Sequence, residues 1–398
     1  MYRIRLLFLK IFIVHSIVLL SSCQKTPEII TAADIEQWFV SPSDSRTREL
    51  SLQPIQRIDS LVKSIRTLSV PGTFSDTLTD STGSRYILGY CTPHEFTSGT
   101  VYPLVIYLHG GTGTAVSNKG EKAYEMLRPL TDSMPLFLAS PSADRSARWW
   151  SADGMNRILQ TIRFMTLHYP IDTKKIFLAG VSDGATGCWI ALNTITGPFA
   201  GFFAISGFGG MLPSMGIELY PPNMVQRPIY NVNAGKDQLY SIDIVTNFLD
   251  YMQSQGLQLN RMVYPDEQHG FDYREKEFGT LCRFIRTWKQ PQPDTVSWIF
   301  SAGLPNRPQT LIDWEFGDAS NNRFVNIVFS KDTISISSQG ISSVTLAIPP
   351  ASKYNFLKAG TKGVRKLSST TTTYLQLKVM IQRSDPINHT DHFYRISL

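Results

Sequence analysis

KIFLAGVSDGATGCW, Lys175 to Trp189, decides how the rest of the chain is read. Ile176, Phe177, Leu178 and Ala179 form a short solid apolar run, the mark of a strand buried on both faces. Cys188 to Leu192 are again apolar and suit a buried helix face. Between the two runs stands Gly180-Val181-Ser182-Asp183-Gly184. A serine between glycines at a strand-to-helix junction reads as a sharp turn that presents a hydroxyl, with small neighbours letting the strand and helix close on each other. The pentapeptide alone also fits an ordinary Gly/Ser-rich loop, so its surroundings must decide.

Outward from this turn the texture repeats. PLVIYLHGG (Pro103–Gly111), PLFLASPS (Pro135–Ser142), GFFAISG (Gly201–Gly207), PIYNVNAG (Pro228–Gly235) and LNRMVYP (Leu259–Pro265) are apolar strands ending in turn residues. Helical spacing fills several of the gaps, over Asn156–Tyr169, Ile242–Met252 and Arg274–Lys289. Strands alternating with helices predict an α/β fold with a mostly parallel sheet covered on both faces. Upstream, TFSDTLT and RYILGYC flank the turn residues Asp80–Ser84, which predicts a hairpin. Ile58–Leu68 reads as one amphipathic helix, and residues 24 to about 50 as a polar tether.

A serine hydroxyl is a weak nucleophile at neutral pH. It needs a base, a group to orient that base, and donors for the developing oxyanion. Of the seven histidines, three follow the middle of the sheet: His269, His389 and His392. Only His269, in DEQHGF, sits on a loop between a strand and the closing helix, where a base belongs. The acids between Ser182 and His269 are Asp183, Glu218, Asp237, Asp243, Asp250, Asp266 and Glu267. Asp237 follows a strand directly and is the best orienter. Asp183 adjoins the nucleophile, Asp266 and Glu267 crowd His269 in sequence, and Asp243 and Asp250 fall on a helix-like run. Asp183, at the N-terminus of the helix after the turn, is favoured by the helix dipole; its side chain should point away and its backbone N–H is a natural oxyanion donor. Gly111, after the strand ending in LHGG, is the expected second donor. A phosphate cradle there is disfavoured, since no Lys-Ser/Thr follows at the required spacing.

Together, LVIYLHGGTGT, YPIDTKKIFLAGVSDGATG, NVNAGKDQLY and EQHGF resemble an α/β-hydrolase of the bacterial carboxylesterase/phospholipase-like and predicted-peptidase type, over about residues 86–289. The resemblance implies a serine hydrolase with Ser182, Asp237 and His269 as its triad, acting on a carboxylic ester or, less often, an amide, with no metal or organic cofactor. ARWWS (Ala147–Ser151) resembles an aromatic loop of such enzymes, which makes Trp149 and Trp150 candidates for the substrate pocket, with core packing as their alternative.

The first 23 residues read as an export signal: a basic start, a short apolar stretch, then Leu20-Ser21-Ser22-Cys23, which resembles a bacterial lipobox. Lipid on Cys23 would anchor the chain to a membrane, the outer one by expectation, without a spanning helix. Arg3, Arg5 and Lys10 supply half of the net charge of +6, and no dense basic cluster follows, so nucleic acid is not an expected partner. Cys91, Cys188 and Cys282 are too few and too widely spaced for a disulfide framework or a metal pattern. After the linker QPQPD (Gln290–Asp294) the helix signal fades. The runs NRFVNIVFS, DTISISS, SSVTLAIPP and TTTTYLQLKVMIQR all read as strands of a small β-sandwich-like domain, with Trp298, Trp314 and Tyr354 as possible stacking residues for carbohydrate. The expected organisation is a signal over 1–22, a tether and helical extension over 23–70, a hydrolase domain over 71–290 and a β-rich domain over 291–398. The expected substrate is an ester, with a carbohydrate-linked ester (acetyl or feruloyl), a peptide, or non-catalytic binding on the same fold as open alternatives.

Overall fold

The computed structural model describes residues 30–398 apart from 67–69, 117, 292, 318–322, 350–353, 360–364, 367 and 388–390. The expected signal segment, Cys23 and His389 lie outside the described residues.

Eight strands form the main sheet: β1 (Thr73–Thr79), β2 (Arg85–Cys91), β3 (Tyr102–Leu108), β4 (Phe137–Pro141), β5 (Ile171–Val181), β6 (Gly201–Ile205), β7 (Ile229–Ala234) and β8 (Leu259–Tyr264). Their spatial order is β1-β2-β4-β3-β5-β6-β7-β8. Strands β3 to β8 run parallel. The hairpin strand β2 runs antiparallel to both β1 and β4. This is the α/β-hydrolase sheet.

The central strands are apolar throughout because both faces are covered. Along β3, Leu104, Ile106 and Leu108 join one core, and Val105 and Tyr107 the other. Along β5, Ile176 and Leu178 face the first core, Phe177 and Ala179 the second. The first is capped by the helices Ala152–His168 and Asp183–Thr194, the second by Arg274–Thr287. This alternation follows from the strand's two-residue period.

Two regions differ from the sequence reading. Residues 32–50 are not a loose tether but two short helices, Ala32–Val40 and Asp44–Leu50. Thr31 and Asp34 form a capping box on the first. Ile35, Trp38, Phe39 and Leu50 are buried in the first core, and Trp38 Nε1 donates to Thr47 Oγ1 at 3.0 Å. Burying side chains of this size stabilises by about 2 kcal/mol each. The amphipathic helix expected over 58–68 spans Ile55–Ile65, directly after Pro54.

The second difference is at the C-terminus. Two sheets, β10-β13-β16 and β15-β14-β12-β11-β9, pack face to face as the expected sandwich; they are built from β9 (Thr295–Ile299), β10 (Leu311–Phe316), β11 (Phe324–Ser330), β12 (Thr333–Gln339), β13 (Ile341–Ile348), β14 (Phe356–Ala359), β15 (Arg365–Lys366) and β16 (His392–Ser397). However, the run after the threonines is a helix, Thr373–Arg383, whose N-cap Thr372 accepts from the Leu375 N–H. Leu375 and Val379 pack on the sandwich, while Leu377, Met380 and Ile381 pack on the main core. Burial on two sides produces an alternating apolar pattern that mimics a strand. Trp298 is 1% exposed in the sandwich core, and Trp314 is partly buried against Phe300. Cys91, Cys188 and Cys282 are buried free thiols.

A buried ion pair ties the hairpin to the main body. Arg157 donates to Asp80 Oδ2 from Nε (3.1 Å) and Nη2 (2.8 Å), and both side chains are 1% exposed. Burial alone would raise the Asp80 pKa, but the Thr82 hydroxyl and the Arg157 guanidinium outweigh it and hold the carboxyl below its ordinary value. Removing one partner of such a pair costs about 3–5 kcal/mol. Arg157→Met should therefore lower the urea-unfolding free energy by about that amount at pH 7. Because the folded pKa is depressed, the Asp80 contribution is full above the unfolded value of about 3.9 and lost as pH falls through the folded one. The gap between wild type and variant should narrow on acidification to about pH 3; a gap independent of pH would contradict this assignment.

Candidate active site

The turn quoted at the outset is as sharp as its sequence implies. Ser182 has φ 56° and ψ −120°, a conformation rare for a residue with a side chain. Its N–H donates to the Ile205 carbonyl at 3.0 Å, and its own carbonyl accepts from the Thr186 N–H at 3.0 Å. The flanking glycines serve close approach. A Cβ on Gly180 would lie 2.3 Å from the Gly184 carbonyl oxygen, and one on Gly184 would lie 2.0 Å from that of Leu108. No side chain fits at either place.

The structure brings Ser182, His269 and Asp237 together from three separate loops. His269 Nε2 stands 3.0 Å from Ser182 Oγ, and its Nδ1 stands 2.8 Å from Asp237 Oδ2. A carboxylate can only accept, so the imidazole proton sits on Nδ1 and the Nε2 lone pair faces the serine. The Asp237 side chain is fully buried, and its Oδ1 accepts from the N–H groups of Leu239 (2.8 Å) and Tyr240 (3.0 Å). The loops bearing Asp237 and His269 are laced together. Gly235 N–H donates to the Tyr264 carbonyl and Lys236 N–H to that of Glu267, and a Cβ on Gly235 would lie 2.4 Å from the Pro265 carbonyl oxygen.

The other acids are occupied elsewhere. Asp266 pairs with Lys236, Glu267 with Lys276, Asp250 with Arg261, and Glu218 accepts from the Tyr220 hydroxyl. Asp243 is exposed on its helix. Asp183 points away from the serine, and its Oδ2 accepts from the Thr112 N–H (2.7 Å) and hydroxyl (2.9 Å). This carboxylate fastens the Gly110–Gly111–Thr112 loop to the start of the helix after Ser182.

Three more groups hold the same loop. His109 Nε2 accepts from the Ala143 N–H at 3.0 Å, so Nδ1 carries the proton and donates to the Gly110 carbonyl at 2.9 Å. Burial pushes the His109 pKa below its ordinary value and keeps the ring neutral. Trp149 Nε1 donates to the His109 carbonyl at 2.9 Å, and Lys119 Nζ to that of Gly111 at 2.6 Å. Because the peptide is planar, holding the Gly110 carbonyl turns the Gly111 N–H the opposite way. Among the described residues, the N–H groups of Gly111 and Asp183 meet no protein acceptor. Gly110 lies against the nucleophile, where an added Cβ would be 3.2 Å from Ser182 Cβ.

Of the two aromatic-loop candidates, Trp149 takes the core alternative. Trp149 is fully buried behind the Gly-rich loop, its ring 5.4 Å from that of His109. Trp150 is half-buried beneath the Arg148 guanidinium. Aromatic groups the sequence reading passed over stand at the site instead: Tyr240, its ring 5.5 Å from His269, and Phe208, 5.9 Å from Tyr240. The spacing of Tyr240 three residues beyond Asp237 was the available signal. A cavity of about 450 Å³ lies elsewhere, lined among others by Thr173, Gln290, Tyr354, Arg383 and Asp391. Thr173 precedes Ser182 by nine residues of extended chain, about 30 Å, so this cavity is separate from the serine.

No protein-family model and no curated protein matches the sequence. Solved structures resemble it in part. A thermostable esterase matches at 17% identity and TM-score 0.44, over 55% of this chain and 63% of its own, so this chain spans less than two thirds of that protein. The S-formylglutathione hydrolase of Staphylococcus aureus matches at 17% identity and TM-score 0.44, over 56% of this chain and 98% of its own. An acylaminoacyl peptidase of Pyrococcus horikoshii matches at 14% identity and TM-score 0.45, over 59% and 44%. What Ser182 can do follows from its own surroundings in an α/β-hydrolase sheet.

Proposed function

We propose that this protein is a serine hydrolase that cleaves carboxylic esters through an acyl-enzyme, anchored at the cell envelope. The observation that carries the reading is the bridge made by His269, 3.0 Å from Ser182 Oγ on one side and 2.8 Å from Asp237 on the other. In this reading Ser182 Oγ attacks the ester carbonyl carbon while His269 Nε2 takes its proton. The Asp237 carboxylate stabilises the imidazolium so formed. The carbonyl oxygen becomes an oxyanion that the Gly111 and Asp183 N–H groups bind. Collapse expels the alkoxide, which His269 protonates. Water, deprotonated by the same imidazole, then attacks the acyl-serine, releases the acid and restores the hydroxyl. An ester is favoured over an amide because its alkoxide leaves more readily on a single protonation.

The test is hydrolysis of short and medium p-nitrophenyl esters by the mature chain. Ser182→Ala should lower kcat by about 10⁴-fold or more, and Asp237→Asn, which allows the wrong tautomer, by about 10⁴-fold. Wild-type turnover that survives Ser182→Ala would remove the serine from the reaction. Full inactivity of the folded wild type on every ester would favour the peptidase reading.

Envelope anchoring rests on Leu20-Ser21-Ser22-Cys23 in the sequence. Cells fed a labelled fatty acid should incorporate it into the wild-type chain but not into Cys23→Ser. Equal labelling of both would exclude Cys23 as the anchor.

A further inference from the structure

Tyr240 owes its place to Asp237. The carboxylate oxygen that does not face His269 accepts the Tyr240 N–H at 3.0 Å, so one short turn positions both residues. The tyrosine ring lies tilted at 54° against the His269 imidazole and edge-on to Phe208. Phe208 in turn packs edge-on against Phe248 at 5.5 Å. Tyr240 is half-buried, with its hydroxyl towards the hydroxyls of Ser182 and Thr186. Thr186 sits one helical turn beyond the nucleophile and is 1% exposed. Its Oγ1 is buried and faces the Tyr240 hydroxyl without a close hydrogen bond. Three hydroxyls therefore share one small space beside the reacting oxygen, and Ser182 Oγ stands 3.0 Å from His269 Nε2.

An isolated buried hydroxyl is costly, and a tyrosine kept only for packing could be a phenylalanine, since the ring contacts need no oxygen. A donor held beside a nucleophile, facing other hydroxyls in the free protein, can turn to a substrate oxygen when one arrives. We propose that the Tyr240 hydroxyl donates a hydrogen bond to an oxygen of the scissile ester, while the rings of Tyr240, Phe208 and Phe248 wall the substrate pocket. This rests on the ester-hydrolase reading above. Burial raises the Tyr240 phenol above its ordinary value, so it keeps its proton at neutral pH and remains a donor. Thr186 Oγ1 is the neighbour able to hold the phenol in place until substrate enters.

Tyr240→Phe keeps the ring and removes only the donor. It is compared with wild type on p-nitrophenyl butyrate and ethyl butyrate, with thermal unfolding as the control. The expected result is an unchanged Tm, kcat lower by about ten- to a hundredfold, and KM within about threefold. A larger defect on the ethyl ester assigns the bond to the leaving oxygen; an equal defect assigns it to the carbonyl oxygen. Either places the phenol on the substrate. Activity within twofold of wild type on both esters would overturn the proposal and leave Tyr240 as packing for His269. Should Tyr240→Phe unfold, Thr186→Val serves as the second variant: displacing the phenol from its neighbour should lower kcat several-fold, and unchanged kcat overturns the proposal. Failure of the parent reading looks different, since wild type itself then turns over neither ester.

Discussion

The site depends on how closely the helix after Ser182 approaches the strands beneath it. At Gly184 the backbone passes so near the Leu108 carbonyl that an added Cβ would sit 2.0 Å from its oxygen. That approach puts the serine at the apex of the turn, with φ 56°. A strained residue of this kind costs about 1–3 kcal/mol and persists only where its surroundings over-determine it. Here they do. The Ser182 N–H is tied to β6, its carbonyl to Thr186, and Asp183 to the Gly-rich loop above.

The Gly-rich loop is the second consequence of that packing. Asp183, His109, Trp149 and Lys119 hold it at four points. The glycines can thus be bare beside Ser182 without being loose. Trp149 serves the site by fixing the backbone from behind, which is why it is wholly buried.

The main sheet and the three partner residues were legible in the sequence because each depends on local rules. Buried parallel strands must be apolar, the turn needs small residues, and a base and its orienter must follow strands. What escaped depended on tertiary neighbours. Residues 32–50 form two helices of only nine and seven residues, too short for a period to stand out; the Thr31 capping box was the cue. The helix Thr373–Arg383 is buried on both sides, so Leu375, Leu377, Val379 and Ile381 alternate as a strand would. Tyr240 and Thr186 become neighbours only when β7 and β5 lie two strands apart in one sheet. Trp149 illustrates the converse: an aromatic beside a motif that packs into the main core and meets the His109 carbonyl with its indole N–H.

The central claim is that Ser182 is a nucleophile made reactive by His269 and Asp237. The most direct measurement is peptide mass spectrometry after brief incubation with an activated phosphonate ester, which forms a stable adduct with an activated serine. The adduct should fall on the peptide containing Ser182 and be absent from the folded His269→Ala protein. Phosphonylation elsewhere, or equal labelling without His269, would contradict it.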